Sequence, residues 1–207
     1  MDAKASEKLF ASYLEKHSIK FERDFKVLGE KNVDFRIAQP TSIVLCDVKE
    51  VRDSEKDNVG KIDAYTHIRE DLKDLRKKFG KNKPTHPVIL VTMNFSSNFY
   101  TGNTIVRAMY GDTGAVFSNK GRSRVVHMPR GNASMTKTTN TTISGILVYD
   151  CANGNHAYFS NQYAKINLPT GYFPDVKLFN VKRSTSEEDL VKLSELMYWE
   201  CDEKEKS

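Results

Sequence analysis

Two carboxylates and one ammonium lie close together early in the chain: Asp34 in Asn32-Val33-Asp34-Phe35-Arg36-Ile37-Ala38, and Asp47 and Lys49 in the run from Ile43 to Val51. Two carboxylates brought side by side repel, and one of them takes a raised pKa unless a cation sits between them. Hard oxygen donors of this kind suit Mg²⁺ or Mn²⁺, which keep several waters and need few protein carboxylates. A neighbouring ammonium can orient or help deprotonate a water on such a metal, or offset charge growing on a phosphate. The competing arrangement is a salt bridge among the same three groups, although buried ion pairs are seldom retained for stability alone.

The triplet Asp-x-Lys carries no weight by itself, because it occurs at Asp2, Asp24, Asp47, Asp71, Asp175 and Asp202. What distinguishes Asp47-Val48-Lys49 is its setting. Ile43 to Val51 is almost continuously apolar, as a strand covered on both faces is. Alternation puts Asp47 and Lys49 on one face with Ile43 and Leu45, and turns Glu50 the other way. Asn32 to Ala38 alternates as well, with Val33, Phe35 and Ile37 on one face and Asp34 and Arg36 on the other. Gln39-Pro40-Thr41-Ser42 joins the two strands as a turn. Centred between Pro40 and Thr41, that turn sets Asp34 directly opposite Asp47, with β carbons roughly 5 Å apart. A slip of one residue would separate them.

Other elements frame this hairpin. Phe10, Leu14 and His17, widened by Leu9 and Tyr13, predict a helix over Ala3 to His17, and Glu7 falls at the margin of its buried face as a partly solvated residue or an inward carboxylate. Phe21, Phe25 and Val27 alternate with charges and predict a strand with one wet face. Ile62, Tyr65, Ile68, Leu72, Leu75 and Phe79 predict a helix from about Gly60 to Phe79, and Val88 to Met93 a buried strand parallel to an earlier one. Beyond Asn94 the expected elements are a short helix over Asn103 to Met109, strands at Ala115 to Phe117, Arg124 to Met128, Ile143 to Tyr149 and Ala157 to Ser160, and a mobile loop over Gly131 to Thr142. Ser186 with Asp189 predicts the cap of a last helix.

The order helix, three strands, helix, strand between Ala3 and Asn94, with an acid on the second strand and acid-x-lysine on the third, resembles the PD-(D/E)XK nuclease superfamily. The resemblance implies an α/β (α+β) chain. Its restriction-endonuclease-like αβββαβ core, a mixed central sheet flanked by helices, would span residues 1–95. Residues 96–207, beyond the reach of the resemblance, are expected from their own pattern to elaborate the same domain with further strands, loops and a C-terminal helix. It also implies that Asp34 and Asp47 bind Mg²⁺ or Mn²⁺ together with the main-chain carbonyl of Val48. Lys49 would assist the attacking water, and Glu7 would hold a second metal or its water. Two positions depart from the family pattern: Val33 stands where proline is common, and the third-strand acid is Asp rather than Glu. The activity so implied is divalent-metal-dependent hydrolysis of DNA phosphodiester bonds. An RNA nuclease of the same chemistry, or a nuclease-like domain that binds nucleic acid or protein without cutting, is the alternative.

Composition agrees with a folded globular chain. Of 207 residues 39% are hydrophobic and 29% charged, neither a disordered nor a membrane-embedded profile. Lys and Arg exceed Asp and Glu by 32 to 27, and the resulting charge of +5 mildly favours a polyanionic partner. Two basic stretches are candidates for touching it, or else are solvated faces: Lys73, Arg76 and Lys77 on the second helix, with Lys78, Lys81 and Lys83 beside them, and Lys120, Arg122 and Arg124 in a glycine-bearing segment. Cys46, Cys151 and Cys201 lack metal or disulfide spacing and are expected to be reduced. With no run long enough to span a bilayer and no secretion signal, the expected location is cytoplasmic and no membrane partner is expected. The second half is expected to serve specificity or dimerisation, which leaves a homodimer open.

Overall fold

The computed structural model describes residues 4–27, 31–40, 42–52, 64–79, 82–95, 102–111, 114–117, 123–126, 133–151 and 154–179, with side chains at all of these except 64, 65, 102, 103, 114–117 and 123–126. They form an α+β fold of three helices and a seven-stranded mixed sheet. Helix α1, Ala5–Lys16, buries Phe10, Ala11 and Leu14. It ends where Ser18 adopts a left-handed backbone (φ 56°), the Ser18 N–H donating to Glu15 O and the Ile19 N–H to Leu14 O, both at 2.9 Å. Such a Schellman-type end satisfies the last carbonyls and redirects the chain, here into β1, Phe21–Lys26.

The hairpin of β2, Asn32–Gln39, and β3, Ser42–Val51, closes with Gln39 opposite Ser42 and continues to Phe35 opposite Cys46. Tyr172 fastens its closed end: the hydroxyl lies 3.1 Å from Ile37 O and 3.2 Å from Ser42 O, and the Tyr172 carbonyl accepts from Gln39 Nε2 at 2.8 Å. After α2, Ala64–Lys78, the wholly buried β4, Val88–Asn94, runs parallel to β3, as a helical crossover requires. Helix α3, Gly102–Tyr110, follows, and then β5, Gly114–Phe117, and β6, Ser123–Val126, which pair with each other in a separate two-stranded sheet among the described residues. The chain re-enters the main sheet at β7, Gly145–Asp150, and adds β8, His156–Ser160, and β9, Lys177–Phe179, giving the order β1-β2-β3-β4-β7-β8-β9.

Two cores cover the two faces. On one, Leu45, Val51, Leu90 and Ile146 meet Ile68, Leu72 and Leu75 of α2 and Ile105 and Met109 of α3. On the other, Cys46, Val48, Val91 and Leu147 meet Phe10 and Leu14 of α1, together with Tyr172 and Phe173. Cys46 and Cys151 are free thiols.

The uniform alternation expected of β1 and β2 is broken. Val33 joins the α2-side core while Phe35 and Ile37 join the α1-side core, and Phe25 and Phe21 divide in the same way. The cause lies at Asp24, whose backbone is left-handed (φ 50°). Neither Asp24 nor Asp34 has a partner in the β1–β2 register, although Arg23↔Phe35 and Phe25↔Val33 pair on either side.

Residues 133–142 are irregular, as expected, but are held rather than loose: Met135 is buried, its N–H donates to Met109 O at 2.7 Å, and Asn140 Nδ2 donates to Ser134 O at 2.8 Å. Strand β9 had no counterpart among the expected elements, and the expected helix after Ser186 lies outside the described residues.

Gly145 marks where β7 and β8 press together. A Cβ there would meet the carbonyl oxygen of Phe159 and, at 2.6 Å, the ring of Tyr158. Gly145→Ala is therefore expected to cost about 1–3 kcal/mol, as overpacking does, measured as a lower midpoint in urea unfolding.

Candidate functional site

The hairpin register places Asp34 at the position facing Asp47, one step beyond the last ladder pair, Phe35↔Cys46. There the ladder gives way to a side chain: the Val48 N–H donates to Asp34 Oδ2 at 2.7 Å. The N–H and C=O of one strand residue point to the same neighbouring strand, so the Val48 carbonyl also faces β2. Asp34 thus occupies a gap opened on one side by the left-handed Asp24 and on the other by the end of the β2–β3 ladder.

Helix α2 closes the gap with an ammonium. Lys78 Nζ donates to Asp47 Oδ1 and stands 3.6 Å from Asp34 Oδ1. Lys49 Nζ lies 3.3 Å from Asp47 Oδ2, an ion-pair contact rather than an aligned hydrogen bond, since that oxygen accepts none. The Asp47 side chain has no exposed surface, whereas Asp34, Lys49 and Lys78 keep 22%, 25% and 15% of theirs. A dry carboxylate is therefore wedged between two ammonium groups at the margin of solvent. Desolvation costs several kcal/mol per ion, and Coulomb attraction repays it only when geometry is good.

The electrostatics follow from this crowding. Burial first, and then the Asp47 charge, push the Asp34 carboxyl from 3.8 up to about 6, against the pull of the Val48 N–H and Lys78. Asp71, on α2, rises to about 6 through burial; Asp47 adds to the rise, while Lys49 and His67 oppose it. For Lys49 burial disfavours the charge, but Asp47, Asp34 and Asp71 outweigh it and hold its pKa above the ordinary value. It is a cation throughout the neutral range.

Asp34, Asp47 and Lys49 are thus brought together on the α2 side of the sheet. Glu7 is not among them. It rides on α1, whose apolar face packs against the opposite side, and among the described residues no three His, Cys, Asp or Glu side chains converge as a metal cluster. Lys73, Arg76 and Lys77 are exposed on α2, with Lys77 paired to Asp74 at 2.8 Å. Lys120 and Arg122 lie outside the described residues, and Arg124 is on β6, where only the backbone is described.

Two members of the cluster, Lys78 and Asp71, were not anticipated in it. Each stands three residues after one core leucine or isoleucine and one before another core residue: Asp71 between Ile68 and Leu72, Lys78 between Leu75 and Phe79. That shared margin of the α2 stripe, two turns apart, is the signal that could have found them.

The donor set suits a hard divalent cation. Two carboxylates, one oxygen of which accepts no hydrogen bond, and a backbone carbonyl facing them are the few oxygen ligands that Mg²⁺ or Mn²⁺ takes. The Lys78 ammonium against both carboxylates marks the place as one that holds positive charge.

Lys78→Met should leave Asp47 with one cation and Asp34 with none, and lower stability at neutral pH by about 3–5 kcal/mol, read from urea unfolding. A carboxyl whose pKa is raised on folding binds its proton more tightly in the folded state. Asp34 and Asp71 therefore make stability fall as pH rises from about 4 to about 6, with little change from these groups outside that window. Asp71→Asn should flatten part of that slope, measured by unfolding across the window with chelator present.

No family model matches the chain, and no curated protein or solved structure matches it, so what this site does is argued from its own residues.

Proposed function

We propose that the chain is a divalent-metal-dependent phosphodiesterase acting on nucleic acid, DNA first, through an αβββαβ core like that of the PD-(D/E)XK nucleases. The observation that carries the proposal is the convergence of Asp34, Asp47 and Lys49 at the gap in the β2–β3 ladder. The element order from α1 to β4 supports it, and so does the cost of keeping a fully buried carboxylate there for stability alone.

In this proposal Asp34, Asp47 and the Val48 carbonyl hold Mg²⁺ or Mn²⁺, which supplies Lewis acidity and a water of lowered pKa when bound. Asp34 is fixed for the task by the Val48 N–H, which holds one carboxylate oxygen and leaves the other toward Lys78. Lys49, whose acidic neighbours favour its charged form, orients water and stabilises negative charge developing on the phosphate. Lys78 balances the carboxylates before a metal arrives and adds a second positive charge beside the phosphate afterwards.

One observation favours a different reading. Lys49 and Lys78 already neutralise Asp34 and Asp47, so the same four residues make a self-sufficient ion-pair cluster in a domain that binds nucleic acid without cutting. Metal titration separates the two: the hydrolase binds Mn²⁺ saturably and loses it in Asp47→Asn, whereas the closed cluster takes up none.

Supercoiled DNA, linear duplex, single-stranded DNA and RNA incubated with Mg²⁺ or Mn²⁺ test the activity. Cleavage of at least one is expected, falling about 100-fold or more in Asp47→Asn and in Lys49→Met, the scale of losing a group that stabilises charge in the transition state, with thermal unfolding checking that both variants fold. No cleavage of any substrate, or cleavage unchanged in Asp47→Asn, would retire the proposal.

A further inference from the structure

Beside the carboxylate cluster, on the same face of the sheet, lies an open pocket of about 480 Å³. Leu45, two residues before Asp47 on the same face of β3, and Arg36, two residues after Asp34, form part of its wall, and Phe79, next to Lys78, forms another part. The pocket and the cluster are therefore neighbours that share three stretches of chain.

The lining is segregated by charge. The chain has 27 acids against 32 lysines and arginines, yet among the described residues Lys26, Arg36, Lys83 and His86 line this pocket and no carboxylate does. The remaining lining is mostly apolar, with Asn82 and Thr85 as its polar members, and it is in part planar: Phe25 lies under the Arg36 guanidinium, Cζ 5.2 Å from the ring centroid. Arg36 is held in that pose by Glu22, at 2.7 Å on the outer side. Two of the acids next door, Asp34 and Asp47, are balanced by Lys49 and Lys78.

A ligand matching these walls has a flat heteroaromatic part and a phosphate, and fits a volume in the range of small-molecule sites. We propose that the pocket seats one unstacked nucleotide of a single-stranded nucleic acid, its base against Phe25 and Arg36 and its phosphates beside Lys26 and Lys83. Aromatic rings and guanidinium planes accept unstacked bases in this way, and a base still paired within a duplex cannot enter. The inference rests on the proposed action on nucleic acid and narrows it, because a strand anchored here runs past the carboxylate cluster from a frayed or single-stranded end.

Fluorescence anisotropy of a short labelled oligothymidylate, with EDTA present so that nothing is cut, tests it on the full chain. Lys26 and Lys83 are exposed, so Lys26→Glu and Lys83→Glu leave the core intact, as thermal unfolding will check. Each should weaken binding about 10-fold, the scale of losing a backbone or stacking contact to one nucleotide. Lys8→Glu, an equal charge change on exposed α1, should leave it nearly unchanged. A blunt duplex should bind more weakly than the single strand, and thymidine monophosphate should compete where orthophosphate does not. Unchanged binding in both pocket variants, or equal competition by orthophosphate, would overturn the inference, the latter reducing the pocket to an anion site. Pocket-dependent binding by a protein that cleaves nothing would retire the hydrolase and keep the pocket; cleavage with binding indifferent to the pocket would do the reverse.

Discussion

The structure depends on how the Asp47 carboxylate is kept in a face of the sheet that water does not reach. At about 4 Å, with the effective dielectric of a protein margin, one opposite charge returns about 4 kcal/mol, comparable to the desolvation of a single ion and no more. Two ammonium groups therefore attend it, and they come from different elements: Lys49 from β3 itself and Lys78 from the last turn of α2. The requirement links strand register to helix position. Leu72, Leu75 and Phe79 seat the helix on the sheet, and only with that seating does Lys78 arrive at the gap where Asp34 waits. The apolar core and the polar cluster are thus two consequences of one docking.

The hairpin was legible because its turn is short. With only Pro40 and Thr41 between Gln39 and Ser42, few registers are possible, and the one that sets Asp34 against Asp47 is the one observed. The helices over the first half and the parallel β4 were legible for a similar reason, since their apolar spacing has one reading. Lys78 was not, because a lysine in the last turn of a basic helix ordinarily points to water and favours the helix dipole. What turns it inward is a partner brought from β3, which no local pattern announces. The change of face between Val33 and Phe35 was hidden as well: it follows from a left-handed backbone at Asp24, a conformation that aspartate tolerates but does not signal. Glu7 shows the opposite limit. Its helix forms where the spacing placed it, but spacing along a helix says which residues share a stripe and nothing about which face of a sheet that stripe will cover, and this one covers the face opposite the cluster.

The two faces have divided the work between them. The α1 side carries buried polar groups too, but they are quiet. His156, set among Tyr13 and Tyr149, is pushed down to about 4 by burial and stays neutral, and Cys46 is raised well above its usual range. On the α2 side Asp34, Asp47, Lys49 and Lys78 each have a partner of opposite sign within reach, and Asp34 and Asp71 sit close to a change of protonation near neutral pH. The ionic groups near a change of protonation lie on the face where the sheet is opened and a helix end supplies Lys78.

That opening also bears on how the molecule behaves among its own copies. Strand β1 is the outermost strand of the seven, and an outer strand offers unpaired amides and carbonyls to any passing chain. In the middle of β1, Glu22, Arg23 and Asp24 are exposed and charged, and the left-handed turn of Asp24 interrupts the straight run that strand addition needs. At the far side the described residues of β9 are Lys177–Phe179. The kink beside Asp34 thus also guards the sheet against growing by recruitment, so a feature next to the carboxylate cluster doubles as protection against aggregation.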